Sequence, residues 1–205
     1  MPPGIIMVYV HYIIVSTKGH TLPDFPLKGY ASHSGRLDII ARSIVALFNK
    51  PRANRKLTLI LLGPPSLPLI ATIDGASLRN SLWSENDGLN ILLKALRGES
   101  AEYLEIVRSA NPISWLTDFL KKRHNCVKVY LSEKGDDIHQ KISVLRNSRC
   151  ILVLLGAKED PPSEYARVFL EENGYMLKLG PRSYLTSHCI VYLEYLLGLY
   201  KSTDG

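Results

Sequence analysis

Apolar residues in this chain fall into short runs, separated by stretches whose apolar positions recur with a helical period. Ile5 to Val15, Leu57 to Gly63, Leu69 to Gly75, Cys126 to Leu131, Cys150 to Leu155 and Tyr175 to Leu179 are aliphatic, β-branched or aromatic and bounded by turn residues. Each predicts a strand. Pro64, Pro65 and Pro68 force a turn before the third run, which is placed at a sheet edge. Between the strands, Ser34 caps a helix running to about Asn49, with Leu37, Ile40, Ile44, Leu47 and Phe48 on one face. Helices are also expected over Asp87 to Arg97, Glu99 to Ala110, Ser114 to His124 and about Asp136 to Asn147. Another follows Glu159-Asp160-Pro161-Pro162-Ser163, and a last apolar one runs to about Tyr200. Lys18 to Ser32 reads as a long loop, and His11 as a packed histidine inside the first strand. The alternation predicts an α/β fold, a mostly parallel sheet flanked by helices. With 205 residues it is one domain, carrying a helical insertion at about 87–124.

Two turns in the last quarter carry candidate chemistry. Gly156 ends one strand and Gly180 follows another, placing two glycine loops at the carboxyl ends of two neighbouring parallel strands, where open α/β sheets bind ligands. Leu131 sits at a third strand end and begins a loop facing the same way. Neither a dinucleotide-binding glycine fingerprint nor a phosphate-binding loop accompanies these turns, so a phosphate cradle is disfavoured. A flat aromatic base held by backbone groups and apolar walls suits them, and so does an ordinary pair of strand-to-helix turns with no ligand. Upstream, Gly35, Arg36 and Asp38 fall in the first turn of the helix capped by Ser34. Free backbone N–H groups there suit a phosphate or a nucleobase oxygen, and Arg36 adds a planar fork. Asp38 either holds Arg36 in place or acts as a base.

Composition narrows the partners. The chain carries 25 basic and 19 acidic residues, a net charge of +6, which favours a polyanion over an acidic small substrate. Pro51 to Lys56 and Lys121-Lys122-Arg123-His124 are basic runs able to touch phosphates; a solvated loop and a helix C-terminus explain them equally. Cys126, Cys150 and Cys189 are widely separated, an odd and sparse count that suits buried thiols in a reducing cytoplasm. No histidine or cysteine spacing suggests a metal. Ile5 to Val15 covers only about half a bilayer, with no basic residues before it, so a buried strand is expected and not a signal peptide or membrane anchor.

Leu154-Leu155-Gly156, Leu179-Gly180-Pro181 and Ser187-His188-Cys189-Ile190 resemble the C-terminal motifs of the SPOUT methyltransferases. Ser34-Gly35-Arg36-Leu37-Asp38 is similar to the N-terminal S-x-G-R-L-D signature of the archaeal TrmY family, tRNA pseudouridine methyltransferases acting on ring nitrogen 1 in the T-loop. The resemblance implies a C-terminal trefoil knot over about 126–200, holding S-adenosylmethionine mainly through backbone. It implies a cofactor site of Leu131, Gly156, Leu179, Gly180, Pro181, Arg182, Ser183, Tyr184 and Cys189, with Cys189 a wall and not a nucleophile. Arg36 and Asp38 are then the residues at the target nucleotide, tRNA the partner, and the assembly a cytoplasmic homodimer without metal. Family turns at the last strand often begin with serine, whereas Lys178 and Leu179 stand here and Arg182 follows Pro181. Alternatives are a pseudouridine methyltransferase of small-subunit ribosomal RNA and a non-catalytic RNA-binding protein of the same fold.

Overall fold

The computed structural model describes residues 8–50 and 52–198. The chain runs β1 (Tyr9–Ser16), α1 (Tyr30–His33), α2 (Leu37–Phe48), β2 (Arg55–Leu61), β3 (Leu69–Asp74), α3 (Glu85–Arg97) and β4 (Leu104–Arg108). It continues with α4 (Pro112–Lys121), β5 (Val127–Asp137), a 3-10 turn (Ile138–Gln140), α5 (Ile142–Arg146), β6 (Cys150–Gly156), α6 (Ser163–Glu171), β7 (Tyr175–Lys178) and α7 (Thr186–Leu196). The strands form one sheet in the order β4-β3-β2-β1-β6-β5-β7. Pairs β2–β1, β1–β6, β6–β5 and β5–β7 are parallel; β3 and β4 add on antiparallel.

Strand periodicity divides the core into two layers. Val10, Tyr12 and Ile14 of β1 face the helices α2, α3 and α7, whereas Ile13 and Val15 face α4 and α6. Helix ends are set locally. Ser84 and Asp87 form a capping box that starts α3, Gly98 in the left-handed conformation ends it, and Asn111 caps α4 with Pro112 in its first turn. His11 is packed as expected: its Nε2 lies 2.8 Å from Thr58 Oγ1 and its ring meets Phe119 edge-on.

Several expectations are corrected. Glu99 to Ala110 is not a helix; its centre is β4, because pairing with the open edge of β3 overrides a local helical pattern. β3 is therefore interior. β6 and β7 are not neighbours, since the long β5 runs between them. Helix α2 starts at Leu37, because Gly35 and Arg36 both have positive φ and precede it; Ser34 Oγ accepts from the Leu37 N–H. Asp137 caps a 3-10 turn, so α5 starts only at Ile142. Cys126 and Cys150 are not free thiols. They form a disulfide where β5 and β6 begin side by side, leaving Cys189 free. Part of the first apolar run (5–7), Pro51, and Leu199 and Tyr200 lie outside the described residues.

The basic run before β2 is not a solvated loop either. Arg55 is fully buried, donating through Nε to both oxygens of buried Glu194 on α7 (2.9 and 3.0 Å) and through Nη1 to the Val8 and Asn54 carbonyls. Tyr12 donates to Glu194 Oε1 at 2.7 Å, and Arg52 reaches Oε2 at 3.4 Å. One carboxylate thus ties α7 to β1 and β2 across the sheet face.

Removing one member of a buried charge pair leaves the other uncompensated, at a cost of about 3–5 kcal/mol. Glu194→Ala is expected to lower the urea midpoint accordingly, while Lys56→Ala, which removes a half-buried ion pair with Asp74, costs about 1 kcal/mol or less. Burial lowers the His11 pKa to about 3. The unfolded imidazole, near 6.5, binds more protons between those values, so stability is full above about pH 6.5 and falls below it by about 1.4 kcal/mol per pH unit. Urea melts of His11→Gln should lack that slope.

Candidate active site

A cavity of about 450 Å³ opens at the carboxyl ends of β6 and β7 and at the irregular middle of β5. Leu131 is followed there by a register shift and does not end the strand as expected, since β5 runs on to Asp137. Leu131, Leu155, Leu177 and Leu179 give it apolar walls, and Gly156 and Gly180 contribute backbone. Of the nine residues expected at a cofactor, Leu131, Gly156, Leu179, Gly180, Arg182, Ser183, Tyr184 and Cys189 line this one cavity; Pro181 does not. Gly156 leaves no room for a side chain, because a Cβ there would lie 1.8 Å from the Glu159 carbonyl oxygen. A Cβ at Gly180 would lie 2.7 Å from the Tyr184 hydroxyl.

Buried Thr186, which sequence reasoning missed, holds this arrangement together. Its hydroxyl contacts the carbonyls of Gly156 (2.8 Å) and Ala157 (2.5 Å), fixing the start of α7 against the loop after β6. Glu133, Glu159 and Asp160 also line the cavity and were missed. The Glu159-Asp160 pair, directly after the Gly156 turn, was the available signal. Cys189 donates weakly to the Tyr184 carbonyl, and burial pushes its thiol up to about 11. A thiol held neutral suits a wall better than a nucleophile.

Arg36 and Asp38 do not line the cavity. Arg36 stands at φ 68°, just before α2, and its Nε and Nη2 donate to the two Asp38 carboxylate oxygens at 2.8 and 2.9 Å. Arg42, one turn on, also donates to Asp38. Hydrogen bonding from Arg36, with the charges of Arg36 and Arg42, holds the Asp38 carboxyl below the usual range, against the opposing effect of burial. A carboxylate so held is a poor base and a firm anchor for Arg36. The motif nevertheless abuts the cavity: Gly35 shares a narrow cleft with Lys18, Lys158 and Glu159, and the last two also line the cavity.

The cavity fits S-adenosylmethionine. Its size is within the usual range for small-ligand sites, the leucines suit a flat base, and three carboxylates suit a ligand bearing a sulfonium and an amino group. Gly156→Ala should force the Glu159 carbonyl aside and weaken S-adenosylhomocysteine binding about tenfold or more in calorimetric titration, with the melting transition shifted only modestly.

Among the described residues no group of three His, Cys, Asp or Glu could hold a metal, and no helix is long and apolar enough to cross a membrane. The family model described as "Putative SAM-dependent RNA methyltransferase" matches residues 9–198. The tRNA (pseudouridine(54)-N(1))-methyltransferase of Pyrococcus abyssi is 30% identical over 199 residues, covering 91% of this chain and 96% of that protein. The Aeropyrum pernix protein of the same name is 29% identical, covering 90% of this chain and 92% of its own. The crystal structure of Archaeoglobus fulgidus Nep1 bound to S-adenosylhomocysteine superposes with a TM-score of 0.66 at 14% identity, covering 94% of this chain and 98% of that one, a likeness of fold. Matched from β1 to the end of α7, the chain belongs to this family of SAM-dependent RNA methyltransferases.

Proposed function

We propose that this protein transfers a methyl group from S-adenosylmethionine to ring nitrogen 1 of pseudouridine at position 54 of tRNA, the reaction in the names of its relatives. The observation that carries the reading is spatial. Eight of the nine expected cofactor residues surround one cavity, and the Gly35-Arg36 turn borders the same loop.

Bound in the cavity, S-adenosylmethionine supplies a methyl group already activated on a positive sulfur. The chain therefore has to position the base, exclude water and let the N1 proton leave. Leu131, Gly156, Leu179, Gly180, Arg182, Ser183 and Tyr184 hold the cofactor, with Cys189 and the leucines excluding water. Arg36 orients the target nucleotide, and Asp38 keeps the guanidinium aimed, acting through Arg36 and not on the substrate. Pseudouridine offers a free N–H at ring position 1 where uridine has its glycosidic bond, so the acceptor itself dictates the choice of base.

The chain path supports a trefoil knot: β7 returns outside β5, beyond β6, and Thr186 holds α7 to the loop after β6. A homodimer is supported by the outer face of α7, where Val191 and Tyr195 are exposed and Tyr184, Tyr192 and Tyr195 form an aromatic ladder. We place the enzyme in the cytoplasm on the strength of its tRNA substrate. The net charge of +6 suits that partner.

The test is methyl transfer from labelled S-adenosylmethionine to one tRNA transcript made with uridine or with pseudouridine at position 54. Label is expected on the pseudouridine form alone; equal labelling of both, or of neither, contradicts the reading. Arg36→Ala should lower kcat/KM by roughly 100-fold or more, with S-adenosylhomocysteine affinity nearly unchanged.

A further inference from the structure

Lys18 lies in the loop after β1, and its backbone is gripped on two sides. A Cβ on Gly35 would lie 1.7 Å from the Lys18 carbonyl oxygen, and one on Gly63 would lie 2.5 Å from it. Gly19 donates its N–H to Ser16 Oγ at 3.0 Å and accepts from the Gly63 N–H at 3.1 Å. Three glycine positions thus bring three segments together around one peptide. The side chain is free of this grip: it is 61% exposed and reaches across to Glu159, Nζ to Oε1, at 2.5 Å.

That ion pair stands at the threshold between the Gly35-Arg36 turn and the cofactor cavity. Lys18, Gly35, Lys158 and Glu159 line a cleft of only about 10 Å³, while Lys158 and Glu159 continue into the cavity wall. Lys18 and Glu159 therefore pair where the Gly35-Arg36 turn meets the cavity, so a base brought in between the turn and the cavity meets both side chains. The charged groups around Lys18 are Glu159 and Lys158 of the loop after β6, and Arg36 beside Gly35, itself paired with Asp38.

Resting on the methyltransferase reading, we infer that Lys18 is a substrate-contacting residue whose ammonium exchanges Glu159 for the carbonyl oxygen beside N1 of the target base. Loss of the N1 proton to water leaves negative charge shared between N1 and that oxygen, and a fixed cation there stabilises it. The nitrogen lone pair then forms the N–CH₃ bond as the carbon–sulfur bond breaks, and its electron pair stays on sulfur. Glu159 holds the ammonium in place until the base arrives.

The experiment compares wild type, Lys18→Met, Lys18→Arg and Glu159→Gln. Two readouts are taken: single-turnover methylation of a pseudouridine-containing T-arm stem-loop across pH, and affinity for the same RNA without cofactor. Lys18→Met should lower the transfer rate roughly 100-fold at neutral pH, with the deficit shrinking as pH rises and the base ionises unaided. It should also weaken RNA binding about tenfold, and Lys18→Arg should recover most of both. Glu159→Gln should tighten RNA binding, because the ammonium no longer has to be detached. If the pair is only a structural latch, Lys18→Met and Glu159→Gln weaken RNA binding alike and the rate deficit is independent of pH, which overturns the inference. Wild-type protein that methylates normally while Lys18→Met matches it also overturns the inference but spares the functional reading; inactive wild type removes both.

Discussion

The cavity end of this molecule depends on how one helix is held at both ends. Near its C-terminal end, α7 inserts Glu194 between Arg55 and Tyr12, residues 139 and 182 positions away in the chain. At its first residue, Thr186 binds the carbonyls of Gly156 and Ala157. A buried carboxylate and guanidinium are expensive to desolvate, so the pair is better understood as fixing register than as a source of net stability. With Glu194 seated, α7 cannot slide along the sheet, and Thr186 falls where the loop after β6 needs it. The Tyr184 hydroxyl then sits over Gly180, and the cavity wall is complete.

Close backbone approach is the second constraint. Gly156 allows its loop to fold back on Glu159, and Gly35 and Gly63 allow the peptide of Lys18 to pass between them. These contacts put the N-terminal turn and the C-terminal loop against each other, although they come from opposite ends of the sequence. The Lys18–Glu159 pair, 141 residues apart in sequence, spans that seam. Catalysis by positioning requires such a seam to be rigid in its backbone and movable only in its side chains.

Most of the sheet was legible because β1, β6, most of β2 and the first half of β5 are buried on both faces and read as largely apolar runs; the polar second half of β5, from Ser132 to Asp137, was not. Nor was β4. Leu104-Glu105-Ile106-Val107-Arg108 is short, follows Glu and Ala residues, and becomes a strand only through the free edge of β3. Arg55 and Cys126 failed for a related reason: a basic run and a lone cysteine announce solvent and a free thiol, and only tertiary register reveals Glu194 and Cys150 beside them. The residues expected at a cofactor were picked out by glycine turns at strand ends and a family resemblance, and eight of those nine line one cavity. Of the acidic wall, Glu159 and Asp160 were signalled by their place after the Gly156 turn and passed over, whereas Glu133 and the tether of Thr186 carry no distinctive pattern.

A crystal structure of the protein with S-adenosylhomocysteine decides whether the ends of β6 and β7 and the irregular middle of β5 hold the methyl donor, with the Gly35-Arg36 turn beside it. Ligand density is expected in the cavity between Leu131, Gly156 and Leu179, in contact with their backbone, with its sulfur toward the Lys18–Glu159 seam. Ligand seated elsewhere, or with its sulfur turned away from that seam, would contradict it.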